Sequence, residues 1–373
     1  MKVLVAMSGG VDSSVAAALL VDDGHDVTGV TLRLWAGAAV ANGCCSEAEI
    51  DDARRVAHQL GIDHVVWTFT DEFEARVVAP YVAAHAAGLT PNPCIECNRH
   101  LKFGRLLRRA SALGFDAVAT GHHARVDPAP DGGGLVLRRG ADPAKDQSYV
   151  LYVLGQAELA RCLFPVGRLT KAEVRTHASA LGLVTADKPD SQDVCFVTSA
   201  GGRESFLSPR IELHPGRVVG LDGMPVGRVG AVELVTVGQR RGLGTGGGAR
   251  RYALSVDPST ATVVAGTRAD LDTDRVDLTD LTWVTGATPG PGAAVEAQAS
   301  AHGRPVAATF DGPASDGPAS DGPASDGPTS DGSATVTFAE PQRRVAPGQS
   351  VVLYAGDRVL GGGIAASSGF VHR

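Results

Sequence analysis

The sequence predicts an α/β protein: a doubly wound parallel sheet, then a small β-rich unit, then an antiparallel β-barrel. Three observations predict it. Val-rich apolar runs alternate with amphipathic, capped segments through residues 1–205, the rhythm of βαβ units. From about residue 213 helical periodicity gives way to short Val-rich runs between glycine turns, as in small sheets and barrels. A five-residue DGPAS repeat at 311–333 then breaks the last set of runs without replacing it by helix. The expected units are 1–205, 206–272 and 273–373.

Each element follows from local chemistry. Lys2–Met7 is a short apolar run rich in Val, expected as a buried parallel strand. Ser8-Gly9-Gly10 turns the chain, and Asp12, Ser13 and Ser14 open a helix over an apolar run, Val15–Leu20. His25–Leu34 is a second strand, 47–60 an amphipathic helix ended by Gly61, 64–69 a third strand, and 71–88 a helix stopping at Gly88. Pro91 and Pro93 predict an extended loop from Thr90 to Cys94, with Asn98 capping a helix that carries Arg99, Lys102, Arg105, Arg108 and Arg109. Residues 115–126 are expected as one strand running through Gly121, His122 and His123, followed by a hairpin return at Leu135–Gly140. Lys145–Tyr149 is expected to open another helix. Thr170 with Glu173 forms a capping box for a helix ending at Gly182. The DGPAS repeat, with Pro and Gly in every unit, is expected as a disordered loop between two barrel strands.

Composition narrows the function. With 43% hydrophobic and 20% charged residues the chain is ordinary globular material, and a net charge of −7 argues against a nucleic-acid-coating protein while leaving room for a local basic patch. No apolar run reaches membrane-spanning length and no signal-peptide pattern opens the chain, so a cytoplasmic protein with no membrane partner is expected. Six cysteines, two of them adjacent (Cys44 and Cys45), do not form a secreted disulfide framework.

The chemistry concentrates in three places. Strand, glycine turn and helix N-terminus at SGGVDSS is the geometry that cradles phosphate, and the missing Gly-Lys-Ser/Thr excludes a Walker A loop. Parallel strands bring their carboxyl ends to one crevice, which places Gly121, His122 and His123 beside Ser8–Ser13; Leu32 falls there too, either near an adenine ring or as a plain core leucine. Cys94-Ile95-Glu96-Cys97 and the later Cys195 offer three thiols. They are open to three readings: a structural disulfide, a Zn or Fe–S site with a further ligand, or sulfur chemistry in which one thiolate carries a persulfide and another resolves it.

SGGVDSS resembles the PP-loop of the ATP pyrophosphatase superfamily. Together with TPNPCIECNRHLKF, ATGHHAR, KDQSYVLY, SQDVCF, TVGQRRGLG and PGQSVVLY, in that order, it makes the whole chain resemble the MnmA/TrmU family of tRNA-specific 2-thiouridylases. The resemblance implies ATP-dependent adenylation of a tRNA wobble uridine at O2, then sulfur transfer from a cysteine persulfide. It implies ATP contacts at Ala6, Met7, Ser8, Gly9, Gly10, Val11, Asp12, Ser13, Leu32 and Gly121. Cys97 matches the nucleophile and Cys195 the persulfide carrier, with a transient disulfide between them. Asn92, Pro93 and Cys94 match the loop facing the target base, and His122, Lys145, Asp146, Gln147 and Gln349 match tRNA contacts. Mg²⁺ is the implied companion of ATP, with Asp12 the candidate to aid it, and tRNA and a sulfur-donor protein are the implied partners. No resident metal site is implied, and an Fe–S cluster on the three thiols is the alternative cofactor. The alternative functions are another adenylating synthetase of the same superfamily, or a metal- or Fe–S-bearing tRNA-binding protein.

Two features depart from that pattern. Many members carry Asp where this chain has Cys94. The aromatic-basic segment of the last unit has no clear counterpart, and Ala301–Arg304 stands near its place unassigned.

Overall fold

The computed structural model describes residues 1–35, 46–130, 132–190, 194–197, 201–246, 250–313, 329–330 and 332–367. Cys44, Cys45, Gln192, Asp193 and most of the DGPAS repeat lie outside the described residues.

The first sheet is all parallel. It comprises β1 (Lys2–Ala6), β2 (Asp26–Arg33), β3 (Asp63–Thr68), β4 (Ala117–Thr120) and β7 (Cys162–Leu163), in the order β3-β2-β1-β4-β7. The order reverses beside β1, so the chain leaves β1 and β4 on opposite faces and opens a crevice at their carboxyl ends. β1 and β4 are almost entirely buried, as their continuous Val/Ala runs require. Helix α1 (Val11–Asp22) buries Val15, Ala16, Ala17 and Leu20 against the sheet, and α2 (Glu47–Leu60) begins at Ser46, whose side chain accepts from Glu49 N–H. Gly61 ends α2 in the left-handed region, where a side chain would be strained.

The expected helix at 71–88 exists as α3, helical over 70–86 with a π turn at Glu74–Val78, and Gly88 (φ 73°) ends it. The next helix differs from expectation. Helix α4 is helical over 93–112, with a π segment at Cys97–Arg105 between two α turns. Its cap is Asn92, which accepts from Cys94 N–H at 3.1 Å, and Pro93 takes the first helical position, where its missing N–H costs nothing. The extended segment therefore stops before Pro93. Asn98 is not a cap: it is buried one turn into the helix and donates to Val150 O at 2.9 Å.

The run expected as one strand at 115–126 is two. β4 stops at Thr120, and β5 (Ala124–Pro128) leaves the parallel sheet to pair with β6 (Leu135–Arg139). That hairpin joins the last sheet through Arg138 opposite Arg358. The Lys145 segment forms a turn and a short 3₁₀ helix at Ser148–Leu151 in place of the expected longer helix. Helix α5 (Lys171–Ala180) carries the expected capping box, with Thr170 N–H and Oγ1 both donating to Glu173 Oε2.

The β-rich part follows. β8 (Gly216–Val219), β9 (Pro225–Val229), β10 (Tyr252–Asp257) and β11 (Thr262–Gly266) form a four-stranded sheet, antiparallel except for the β11–β8 pair. The last strands are β12 (Asp272–Trp283), β13 (Ala293–Gln298), β14 (Val306–Asp311), β15 (Thr329–Ser330), β16 (Ala334–Arg343), β17 (Ser350–Ala355) and β18 (Arg358–Ala365). Six of them run β12-β16-β14-β13-β17-β18, and β12 pairs β18, which closes an antiparallel barrel. Its core includes Phe310, Val336, Leu353 and Trp283. The repeat falls between the neighbouring strands β14 and β16. Its end at Thr329–Ser330 is strand rather than loop, pairing with Thr282 and Leu281 of β12. No helix among the described residues is long and apolar enough to cross a membrane.

Candidate active site

The glycine loop sits at the head of the crevice. Gly9 has φ 73°, and an added Cβ would lie 2.3 Å from the Glu49 backbone oxygen. Gly10 is the cap of α1 and has no side chain to bond the first turn, so the helix opens with its N–H groups directed outward. Ser8 N–H donates to Ser13 Oγ, and the Ser13 and Ser14 hydroxyls donate to Gly10 O, which fixes the loop's curvature. From below, Lys188 donates to Gly9 O at 2.9 Å and pairs with Asp52 of α2 at the same distance. Across the crevice Gly121 follows β4. A Cβ there would meet Ser13 N at 2.6 Å and Asp12 C at 2.7 Å, so the two loops touch backbone to backbone. Ala6 ends β1 half-buried, while Met7 and Val11 are buried; Leu32 is buried in the core with Leu4 and Val30.

An ion network joins this loop to the segment before Cys195. Lys171, at the start of α5, donates to both oxygens of Asp12 (2.7 and 2.8 Å) and pairs with Asp190 at 2.8 Å. Asp190 also pairs with Lys145 at 2.7 Å and Arg175 at 3.0 Å. Arg175 further donates to the backbone oxygens of Ala186 and Lys188. Burial pushes the Asp190 carboxyl up, but hydrogen bonds from Lys145 and Lys171, with their charges, outweigh it and hold it at about 2. Asp12 is lowered too: burial opposes the shift, and hydrogen bonds from His123 and Lys171 prevail. A carboxyl depressed in the folded state contributes stability at pH values above its unfolded pKa, roughly 3.9, and loses it as pH falls through the folded value. The urea midpoint of the wild type is therefore expected to drop as pH falls from 4 towards 2. Asp190→Asn is expected to be less stable near neutrality and to show a flatter dependence across that window.

The first two thiols lie in the opening turns of α4. Cys94 is exposed, and Cys97, one turn on where the π segment begins, is 7% exposed. Cys195 is half-buried, and it packs against the same apolar cluster that contains Cys97. Phe196 anchors that region in an aromatic group with Phe73 (5.6 Å), Tyr81 (5.3 Å) and Phe206 (5.0 Å). The fold thus draws toward one core two cysteines far apart in sequence. Among the described residues no three His, Cys, Asp or Glu side chains are placed to hold a metal ion.

Comparison with known proteins decides the family. Residues 1–199 match the tRNA methyl transferase HUP domain, and residues 322–365 the aminomethyltransferase beta-barrel domain. The chain is 46% identical over 366 residues to a tRNA-specific 2-thiouridylase MnmA of Chloroflexus aurantiacus, covering 97% of each chain. It is 45% identical to the one from Mycobacteroides abscessus, covering 98% of this chain and 99% of that one.

This chain belongs to the MnmA family of tRNA-specific 2-thiouridylases. Among solved structures it resembles a 4-thiouridine synthetase–RNA complex at 18% identity, over 52% of this chain and 44% of that one, with a TM-score of 0.33, too slight a likeness to argue from.

The positions expected as tRNA contacts have internal partners here. His122 is buried between Phe103 and Phe164, with Nδ1 2.7 Å from Thr120 Oγ1, and burial holds its pKa well below the ordinary range, so it is a neutral ring. Asp146 accepts from Arg139, Gly140 N–H and Ser148 N–H. Gln147 accepts from His123 N–H through its side chain and donates its own N–H to His123 O, a two-bond clasp on the crevice. Gln349 donates to Thr90 O at 2.7 Å and so ties the barrel to the segment leading into Asn92–Cys94. The basic stripe also divides. Arg99 turns inward toward Thr282 of β12, while Arg105 lies over Phe69 and Arg109 over Trp67 on the exposed face.

His123, expected at the crevice, joins Asp12 at 3.2 Å, whereas Lys171 and Asp190 carry no mark of their own in the sequence that points to the site. The available signal was the capping box, which places Lys171 at the first position of a helix whose N-terminus faces the crevice.

Proposed function

We propose that the protein is an ATP-dependent tRNA-uridine 2-sulfurtransferase acting on the wobble uridine, position 34. The observation that carries this reading is the near-complete likeness to 2-thiouridylases, 46% over 97% of both chains. The crevice geometry supports it.

ATP is taken to lie over Ala6–Ser13, with Leu32 and Gly121 beside it. The outward N–H groups at the start of α1 would hold the polyphosphate, and the close Gly121 contact leaves no room for a side chain there. Mg²⁺ is read as a companion of the phosphates, and the ionised Asp12 would aid it only by exchanging the Lys171 ammonium that now holds both its oxygens. When bound, it would spread phosphate charge.

Uridine O2 attacks the α-phosphate and pyrophosphate departs. The terminal sulfur of a Cys195 persulfide then replaces the activated oxygen at C2, releasing AMP. Cys97 attacks Cys195 Sγ to free that sulfur and ends in a Cys97–Cys195 disulfide. Asn92, Pro93 and Cys94 would face the base, which must leave its stack to reach them. His122, Asp146, Gln147 and Gln349 are read as shaping the tRNA-binding surface from within, and Lys145 as reaching it. A sulfur-donor protein would reload Cys195, and the reaction is placed in the cytoplasm.

The test is nucleoside analysis of tRNA incubated with the protein, ATP, Mg²⁺ and a persulfide donor. 2-Thiouridine is the expected product. ATP consumed to AMP on another acceptor, without thiouridine, would point to an adenylating synthetase instead.

A further inference from the structure

Cys94 has no part in the relay just described, yet it stands one helical turn before Cys97 and differs from it in access. Its side chain is exposed, while Cys97 is 7% exposed in the apolar cluster and Cys195 is half-buried against that cluster. A Cys97–Cys195 disulfide would therefore have its Cys97 end buried, less open to a reductant from solvent than a bond ending at the exposed Cys94. Both cysteines of the Cys-x-x-Cys occupy the first turns of a helix, where side chains three apart lie on neighbouring positions. Asn92 fixes that turn by accepting Cys94 N–H, and the change to π geometry begins at Cys97 itself. Cys-x-x-Cys is a spacing that supports reversible dithiol chemistry.

We propose that Cys94 is the resolving thiol of the sulfur relay. This rests on the proposed disulfide between Cys97 and Cys195. The Cys94 thiolate attacks Cys97 Sγ. A Cys94–Cys97 bond forms, the Cys97–Cys195 bond breaks, and Cys195 leaves as a thiolate ready to take new persulfide sulfur. The two-electron oxidation now rests on a pair with one exposed sulfur. A thiol reductant from solvent attacks Cys94, is itself oxidised to a disulfide, and returns both cysteines to thiols. Cys94 thus carries oxidising equivalents from a core-facing bond to the surface.

The experiment follows thiouridine formation by the full-length protein with tRNA, ATP and a small-molecule persulfide, under limiting dithiol reductant. Thiols are trapped by alkylation and disulfides mapped by peptide mass spectrometry. The wild type is expected to show Cys94–Cys97 as its trapped disulfide and to turn over repeatedly. Cys94→Ser is expected to accumulate Cys97–Cys195 and to slow at least tenfold relative to its own first turnover. A high concentration of small dithiol should rescue it, which a misfolded variant would not allow. Trapping only Cys97–Cys195 in the wild type, or equal repeated turnover by Cys94→Ser, would overturn the role of Cys94. If instead Cys97→Ser retained activity with no disulfide formed at all, the relay beneath the proposal would fail, a result distinct from failure of Cys94 alone.

Discussion

Cys195→Ser is expected to reduce persulfide-driven thiouridine formation by about 10³-fold or more, the order seen when a covalent nucleophile is removed. The serine hydroxyl cannot carry a persulfide sulfur, so nothing replaces the lost group. Cys97→Ser is expected to fall by a similar factor when sulfur comes from persulfide, and to recover part of its activity when free sulfide is supplied, because sulfide needs no release step. ATP binding should be unchanged in both, since neither cysteine touches the Ser8–Ser13 loop in the proposed arrangement. Thiouridine yields from the two sulfur sources, compared side by side, check this. Full persulfide-driven activity in either variant would remove that cysteine from the relay.

Gly9→Ala is the second large effect. The backbone there has φ 73°, and the new Cβ would lie 2.3 Å from a backbone oxygen of α2, which cannot rotate away as a side chain would. Left-handed strain of ~1–2 kcal/mol combines with an overpacking cost of ~1–3 kcal/mol, so the fold loses several kcal/mol and the Ser8–Ser13 loop is displaced. Two substitutions separate the causes. Gly24→Ala has φ 76° with nothing within 4 Å of the new Cβ and should show the backbone strain alone. Gly10→Ala meets only Ser8 Oγ at 3.4 Å, an ordinary contact, and should melt close to the wild type. Thermal midpoints and ATP titrations of the three variants measure both effects. Equal stability of Gly9→Ala and wild type would contradict the packing described for the loop.

Much of the architecture was legible because local chemistry and final fold agree. The Val-rich runs at β1 and β4 are buried on both faces, and continuous apolarity is what a central parallel strand requires. Thr170 with Glu173 announced α5, and Gly61 and Gly88 ended helices where positive φ was needed. What was not legible depended on distant partners. Asn92 and Asn98 are both plausible caps by type. Only the partners distinguish them: Asn92 serves Cys94 N–H, whereas Asn98 is drawn inward to Val150.

The run 115–126 looks continuous in β propensity. It divides because Gly121 must press against Ser13 and Asp12 at the crevice, after which the chain is claimed by β6 and the barrel. His122 carries no sequence mark of burial, and its setting between Phe103 and Phe164 is a tertiary fact.

The ion network is the largest gap between sequence and site. Lys171 and Asp12 meet across 159 positions, and no local pattern links them. Through Asp190 the same lysine reaches the segment before Cys195, so the Ser8–Ser13 loop and that segment share one set of charges.

An ATP-coupled transfer of sulfur to tRNA requires that one nucleotide be spent for each sulfur placed. The most direct measurement incubates tRNA with the purified protein, ATP, Mg²⁺ and a persulfide donor, then quantifies AMP, pyrophosphate and 2-thiouridine at position 34 from the same sample. One AMP and one pyrophosphate per 2-thiouridine is the expected result. Conversion of ATP to ADP, or 2-thiouridine formed with no ATP consumed, would contradict it.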